Sequence, residues 1–547
     1  MGYLRQLGLL ALCCSFATST VMAAQAIPSI DGRITNTIKN NENTQIVSDF
    51  VPADIDSTST SNFYIKKIVV ETNIPNNNLN SKQQSILKKY DNKHTSIIEL
   101  QNAVHELTVL YRSKGYPAAT AYLPKQTIKD GIVTINVELG KYGNIILENN
   151  SVLKEDTLQK ILSKLKKGQV IRTTQLESTL NIINDLGGVR AGGILKAGSN
   201  IGESDLVVRV IDGKSLSYSL YSENYGSKSS GRYRYGLNLV FNEMSGHGDC
   251  FIVNGSMSNQ RQHNYSISYD QLVHANGTRL QWNIGRTDYE LGNKYSSMGA
   301  VGEATSVGIL GVTPLRKTTN SQIDVKYGWC YRDLKDEMKI FDYIVKKHSN
   351  SFNLGISGVE TTPTTKVNYD LNAYHGILVG DKAAISNIPI EISTVGTYSK
   401  ATFNANILQN LAPRLDMSFN FQSQIAGNNL DGSEQFYLGG PNGVRAYPQG
   451  EGSGDEGYQA SAELRYYTKL KGLSLSAFFD AGHVKYSNDG IISDGTTLKG
   501  WGLGTSWTDE NGFWARIDYA RRIGLAKDST EDAKSRNRIW FILGKSF

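Results

Sequence analysis

From Lys214 to the C-terminus the chain keeps a two-residue rhythm. In Arg232–Asn242, Tyr233, Tyr235, Leu237, Leu239 and Phe241 share one face, while Arg232, Arg234, Gly236 and Asn238 share the other. In 413–424, Leu415, Met417, Phe419 and Phe421 oppose Asp416, Ser418, Asn420 and Gln422. In 457–467, Tyr458, Ala460, Ala462, Leu464 and Tyr466 oppose Gln459, Ser461, Glu463 and Arg465. A soluble sandwich also alternates. Here the polar face carries repeated charges and aromatics sit near strand ends, which predicts a transmembrane barrel with lipid outside and a wet lumen. A bilayer tolerates no free sheet edge, so the strands must close. Residues 214–547 hold about sixteen strands, roughly 21 residues for each strand with its loop.

The connections sort by parity. Every second one is short: 243–247, 273–276, 469–472 and 509–512. The alternate ones read as long: 288–302, 334–345, 377–392, 426–456, 485–497 and 524–536. Short periplasmic turns and long surface loops are the asymmetry such barrels show. With both barrel ends in the periplasm, 426–456 is the sixth outer loop.

Residues 63–213 follow a different pattern, and it occurs twice. The first copy is a strand at 63–72, helices at 82–90 and 97–114, and strands at 119–123 and 132–139. Leu100, Val104, Leu107 and Tyr111 form the apolar stripe of the second helix, and Gly115 is its stop signal. The order recurs at 145–148, 154–165, 175–186, 191–196 and 205–211, with Leu176, Leu180 and Ile183 as the stripe. These are two α+β modules, 63–141 and 142–213. Each three-stranded sheet is expected to leave edges to which an extended peptide adds.

Residues 1–24 read as a secretory signal: Arg5, a short apolar run from Leu7 to Phe16, then small residues up to Ala23 and Ala24. The run is too short to span a bilayer. Cys13 and Cys14 leave with it. Cys250 and Cys330 remain, and the strand map puts them about four strands, roughly 19 Å, apart, beyond disulfide reach. Residues 25–62 are polar. Ile27, Ile30, Ile34 and Ile38 suggest a short amphipathic helix, although Gly32 weakens it, and 42–62 reads as an extended linker.

Composition agrees. The 547 residues are 39% hydrophobic, which excludes a bundle of transmembrane helices. With 20% charged residues and 29 Tyr the chain is not disordered. A net charge of +6 gives no reason to expect nucleic acid. A GxGxxG at Gly452, Gly454 and Gly457 lacks a strand–helix context and reads as flexible loop. His105 has no second His at metalloprotease spacing, and no GxSxG or phosphate loop occurs. No enzyme activity, metal or cofactor is expected.

Candidate chemistry concentrates in loop 426–456. Its tip reads Gly439-Gly440-Pro441-Asn442-Gly443-Val444-Arg445-Ala446-Tyr447-Pro448, one cation beside one aromatic between glycines suited to a tight turn. Downstream, the alternation of 473–484 turns Leu473, Leu475, Ala477 and Phe479 to lipid and Ser474, Ser476, Phe478, Asp480 and Gly482 to the lumen. If the loop folds inward, Arg445 meets Asp480 as a bidentate pair. Glu463 also faces the lumen and is the alternative partner.

At these residues the chain resembles the two-partner secretion transporters of the Omp85 superfamily, the ShlB/FhaC/HecB-like exporters of haemolysins, adhesins and growth-inhibition toxins. The resemblance rests on two modules before a barrel, Val444-Arg445-Ala446-Tyr447 in the sixth loop, and Phe479-Asp480-Ala481-Gly482 on the next-but-one strand. Tyr111-Arg112-Ser113-Lys114-Gly115-Tyr116, Leu123-Pro124 and Asp130-Gly131 resemble the family's first POTRA domain. It implies that the modules are POTRA domains, that the N-terminal helix plugs the barrel, and that Arg445 and Asp480 lock the loop. One departure is Ala446, where the family usually has Gly; the methyl restricts φ>0 and is expected to alter the tip. The C-terminal Ile539–Phe547, with Ile539, Phe541, Leu543 and Phe547 on one face, resembles the terminal signal shown to the barrel-assembly machinery.

The resemblance implies a monomeric outer-membrane exporter that takes an unfolded exoprotein from the periplasm to the cell surface. Two readings stand beside it. A barrel-assembly insertase of the same superfamily shares the fold but usually carries more POTRA domains. A diffusion porin explains the barrel but not residues 63–213.

Overall fold

The computed structural model describes residues 46–48, 62–72, 80–381, 394–486, 495–524 and 535–547. The expected signal segment, the 25–41 helix and most of the linker lie outside them, as do parts of outer loops 377–392, 485–497 and 524–536.

The long helix of the first module starts and stops where local chemistry dictates. Ser96 accepts from the Glu99 N–H while the Glu99 carboxylate accepts from the Ser96 N–H, a capping box that opens the helix Ile97–Ser113. Gly115, at φ +91°, turns the chain out of it. Leu100, Ala103, Leu107 and Tyr111 then pack on Val133, Ile135 and Val137 of the sheet. That sheet runs Lys67–Thr72, Ile132–Glu138, Thr120–Tyr122. The single strand expected at 63–72 is two. Phe63–Ile65 pairs with Lys93–Thr95 in a small separate sheet, and the chain breaks at Lys66, whose N–H and that of Lys67 both donate to the Gly131 carbonyl. One carbonyl taking two successive donors kinks the strand there.

The second module repeats the plan with helices Glu155–Leu162 and Thr173–Asn184 over strands Lys141–Asn150, Glu203–Asp212 and Val189–Ala197. Leu158, Ile161, Leu176, Leu180, Ile183, Leu195, Leu206 and Val208 form its core. One of its edges is not open, contrary to expectation. Ile46–Ser48 from the linker region pairs in parallel with Gly193, Ile194 and Leu195. An extended segment preceding the modules satisfies the N–H and C=O groups that the edge would otherwise leave to water.

Sixteen antiparallel strands then close into a barrel. In chain order they are β1 Leu216–Glu223, β2 Arg234–Asn242, β3 Cys250–Ser258, β4 His263–Leu272 and β5 Arg279–Glu290. There follow β6 Ala300–Lys317, β7 Ser321–Met338, β8 Tyr343–Thr361, β9 Thr365–Gly380, β10 Gly396–Ala412 and β11 Leu415–Ala426. The last five are β12 Glu456–Tyr467, β13 Leu473–Lys485, β14 Gly495–Thr508, β15 Phe513–Arg522 and β16 Asn537–Ser546. β16 pairs back onto β1, from Ser219 opposite Ser546 to Glu223 opposite Ile542. The alternation predicts the faces: Met417, Tyr458, Leu464, Tyr466, Phe479, Ile539 and Leu543 are exposed on the outside, and Asp416, Glu463, Arg465 and Asp480 are buried within. Phe547 ends the chain stacked on Tyr218, ring centroids 4.5 Å apart. Cys250 and Cys330 stand on β3 and β7 as free thiols.

Two outer connections are shorter than expected. The span 334–345 is mostly strand, because β7 and β8 stay paired as far as Met338 opposite Tyr343. The span 288–302 shrinks likewise, with β5 and β6 in register out to Glu290 opposite Val301. In the β5–β6 extension a charged pair links the strands, Arg286 with Glu303 at 2.6 Å. A polar ladder in water ceases to show the apolar alternation by which a strand is read from sequence.

The second module seats on the periplasmic turns 243–249 and 318–320. Lys154 N–H donates to Gly246 O at 2.9 Å, Lys154 Nζ and His247 Nε2 are 2.9 Å apart, the Glu177 carboxylate accepts from the Thr319 N–H at 3.0 Å, and Lys317 pairs with Asp185. The seat is close enough that a Cβ on Gly187 would lie 2.1 Å from Asn242 Oδ1. The module is therefore held against the periplasmic rim of the barrel at these turns.

Candidate functional site in the barrel lumen

Between β11 and β12 the chain does not lie outside the barrel; it folds into the bore. Phe436–Tyr437 pairs with Ser453–Gly454 as a two-residue ladder, and Leu438 N–H and Gly439 N–H continue it onto Gly452 O and Glu451 O. Of the glycines read as flexible loop, Gly452 and Gly454 thus form the base of a hairpin finger, and Gly457 lies on β12. Gly454 is pressed so closely on β13 that a Cβ there would lie 2.0 Å from Lys485 O. At the tip, Gly443 N–H closes a turn onto Gly440 O. Gly440 sits at φ +125°, and a Cβ on Gly443 would meet Leu438 O at 1.9 Å, so this turn requires glycine at both places. The chain then reverses and projects Arg445 at the wall.

Arg445 is 5% exposed and Asp480 1%. Arg445 Nε donates to Asp480 Oδ2 at 2.9 Å and Nη2 to Oδ1 at 2.8 Å, a two-bond fork, and the Arg445 N–H adds a third bond at 3.1 Å. Glu463, the rival partner, is bonded as well: Nη1 donates to its Oε2 at 2.9 Å. A planar guanidinium has five N–H donors, so the two carboxylates are not exclusive. Ser461 Oγ takes another donor at 3.0 Å, and the Phe478 ring lies 3.2 Å beneath the guanidinium.

Residues not assigned to the site from sequence complete the socket. Asp518 on β15 lies 3.7 Å from Arg445. Arg465 and Arg516 balance the carboxylates, Arg465 on Glu463 at 2.7 Å and Arg516 on Glu463 and Asp518 at 2.9 and 2.8 Å. Trp540 Nε1 donates to the Arg445 carbonyl at 2.7 Å. Alternation along 513–522 turns Arg516 and Asp518 inward, and that signal was available. The alternation of 539–547, with Ile539, Phe541 and Leu543 on one face, likewise turns Trp540 inward, but its bond to Arg445 arises only from closure of the barrel.

The other motif residues have packing roles. Val444, Ala446 and Tyr447 are fully buried with Leu438, Phe478, Val484, Leu498 and Ala520 in an apolar cluster inside the lumen. Tyr447 lies under Arg522 at 4.4 Å. Phe479 points outward. Gly482 leaves room for the loop, since a Cβ there would fall 2.7 Å from Leu438 Cδ2. Ala446 does not adopt positive φ, so the expected strain at the tip does not arise.

The arrangement holds a charged finger in a confined bore through one fork of hydrogen bonds and a small apolar cluster. Its chemistry is that of a buried, multiply hydrogen-bonded ion pair.

The family profile described as haemolysin secretion/activation protein ShlB/FhaC/HecB matches residues 202–507. A second profile, the ShlB-type POTRA domain, matches residues 63–140. The heme/hemopexin transporter protein HuxB of Haemophilus influenzae is 27% identical over 474 residues, 84% of this chain and 83% of its own. The outer membrane transporter CdiB of Dickeya dadantii is 19% identical over 463 residues, 78% and 77% of the two chains. The solved structure of CdiB from Escherichia coli superposes with a TM-score of 0.70 at 19% identity, over 94% of this chain and 96% of that one.

Proposed function

The chain belongs to the ShlB/FhaC/HecB family of haemolysin secretion/activation proteins and is an outer-membrane transporter of two-partner secretion with a POTRA domain at 63–140, and on that premise we propose that the finger 427–455 is the gate through which a large exoprotein passes. The observation that carries this reading is the seating of Arg445 among Asp480, Glu463 and Asp518 inside the bore. A free diffusion pore has no use for a buried finger held across its lumen. A transporter that must stay closed until its cargo arrives does. Removing one member of a buried pair of this kind costs about 3–5 kcal/mol, strong enough to hold a loop at rest and weak enough to be overcome by binding.

In this reading, residues 1–24 direct export to the periplasm, and the modules at 63–141 and 142–213 receive the unfolded cargo. Strand addition is the expected mode of capture, because it uses backbone groups common to every sequence. In the first module, part of each outer strand is already engaged: Ile68 N–H donates to Asp91 and Ala121 N–H to Thr108. In the second, Val189–Ala197 already accepts Ile46–Ser48, which supports that edge as one competent to take a strand. The exoprotein's folding outside supplies the pull, and no catalytic step or cofactor is assigned. The protein acts as a monomer, meets outer-membrane lipid over its apolar band, and enters the membrane through the barrel-assembly machinery with Phe547 as its signal.

The test is specific loss. Depleting the protein should stop release of one large exoprotein carrying its own export signal and leave other outer-membrane barrels at their normal level. General loss of barrels would favour an insertase. A large, steady conductance of the full-length protein, unchanged when residues 25–62 are deleted, would favour a porin.

A further inference from the structure

The finger is held at a second place, and there the charges are reversed. Before the hairpin begins, the chain leaving β11 carries two buried carboxylates, Asp431 and Glu434. Lys347 Nζ on β8 donates to Asp431 Oδ2 at 2.5 Å. Glu434 pairs with Arg332 on β7 and with Lys400 on β10, the latter at 2.8 Å. Tyr398 OH donates to Glu434 Oε1 at 3.0 Å, and Lys400 Nζ and Gln424 Nε2 both donate to the Glu434 carbonyl at 2.9 Å. Asp431 Oδ1 accepts the Ser433 N–H at 3.1 Å, which shapes the turn between the two acids.

The two stations use different sectors of the wall. The tip socket belongs to β12, β13 and β15, and the root socket to β7, β8 and β10. The tip brings one cation to a wall with an excess of carboxylate. The root brings two carboxylates to a wall of three cations. Both ends are desolvated, where ion pairs are screened far less than at a surface. The finger between them is braced by its own ladder, from Phe436–Tyr437 to Ser453–Gly454.

We propose that Asp431 and Glu434, seated on Arg332, Lys347 and Lys400, form a fixed pivot, so that opening of the Arg445 latch swings the finger about its root within the lumen and does not withdraw it from the barrel. The proposal rests on the reading of Arg445 as the releasable latch. Asp431, Glu434 and their partners are positioning residues, and two independent attachments distinguish a pivot from a plug that leaves as one body.

The experiment uses full-length protein in intact cells, with Cys250→Ser and Cys330→Ser as background and heat-modifiable gel mobility as the check on a folded barrel. Single cysteines report the two ends, Asn442→Cys at the tip and Ser433→Cys at the root, read by the rate of labelling with a membrane-impermeant maleimide. Arg445→Ala should raise labelling at 442 about tenfold and leave 433 unchanged, while Asp431→Asn with Glu434→Gln should raise 433 by a similar factor and leave 442 unchanged. Lys347→Asp should raise root labelling, and combining it with Asp431→Lys should restore the protected rate. Equal rises at both positions in either variant, or an unchanged root rate after both acids are neutralised, would overturn the pivot. Normal export by Arg445→Ala would instead sink the latch reading, and the root measurements would still decide whether the anchor exists.

Discussion

The methyl of Ala446 occupies the space that a side chain at Gly500 would need: a Cβ built on Gly500 lies 2.4 Å from the Cβ of Ala446. The alanine at this loop position is thus matched by a bare backbone on β14. The departure from the family's usual glycine is a packing matter between two elements and leaves the tip conformation unstrained.

Gly500→Ala should therefore push the finger off its wall. Overpacking of this kind costs about 1–3 kcal/mol, and the expected outcome is a leaky pore with normal barrel assembly. Adding Ala446→Gly should return conductance to the parent level. A Gly500→Ala protein as tightly closed as the parent would show that the contact does not matter.

Arg445→Lys tests geometry apart from charge. Lysine keeps the cation but cannot make the two-bond fork to Asp480 while also reaching Glu463. Export should fall strongly in Arg445→Lys and be lost in Arg445→Ala, with both proteins inserted. Trp540→Phe removes the bond to the Arg445 carbonyl, a contribution of about 1 kcal/mol, and should reduce export without abolishing it. Secretion assays with membrane fractionation would read all three.

The seat of the second module depends on glycine. Gly188 has φ +76°, and a Cβ there would lie 2.9 Å from that of Asn242. Gly188→Ala should detach the module from the turn 243–249 and raise proteolytic cleavage near Gly213, with the barrel itself still resistant.

That same turn carries a pH-sensitive group. Burial pushes the Glu243 carboxyl up to about 7, with nearby Asp249 adding to the rise, while the Gly248 N–H and Arg279 oppose it. A carboxyl whose folded value lies above its ordinary 4.5 binds its proton more tightly in the folded state. Its stabilising effect is complete below about 4.5 and is lost as pH rises through about 7. Protease protection of the seat should therefore weaken between about pH 5 and about pH 8. Glu243→Gln should keep the Gly248 bond and flatten the profile; an unchanged slope in that variant would assign the effect to another group.

Phe547 closes the seam between last and first strands through Tyr218, its N–H donating to the Tyr218 carbonyl at 2.8 Å. Deleting Phe547 should lower the amount of protein in the outer membrane while leaving the inserted fraction able to export. Quantitative immunoblots of membrane fractions would measure the first effect and secretion per inserted molecule the second.

Alternation along the chain was sufficient to determine the barrel, the inward face of Asp480 and Glu463, the outward face of Phe479, and the helix stripes of both modules. A strand's side-chain period is a local property, and contact with lipid on one side writes it into every barrel strand. What local order does not record is who meets whom across a closed wall. Asp518, Trp540, the Gly500 gap and the basic root socket belong to strands far apart in sequence, and they become neighbours of the loop only when the barrel closes and 427–455 folds inward. The break at Lys66 and the occupied edge at Val189–Ala197 have the same origin, for each is set by a backbone group supplied from elsewhere in the chain. Periodicity determined which side each residue faces; closure of the cylinder decided which of those residues touch, because contact depends on curvature and register that no single segment contains.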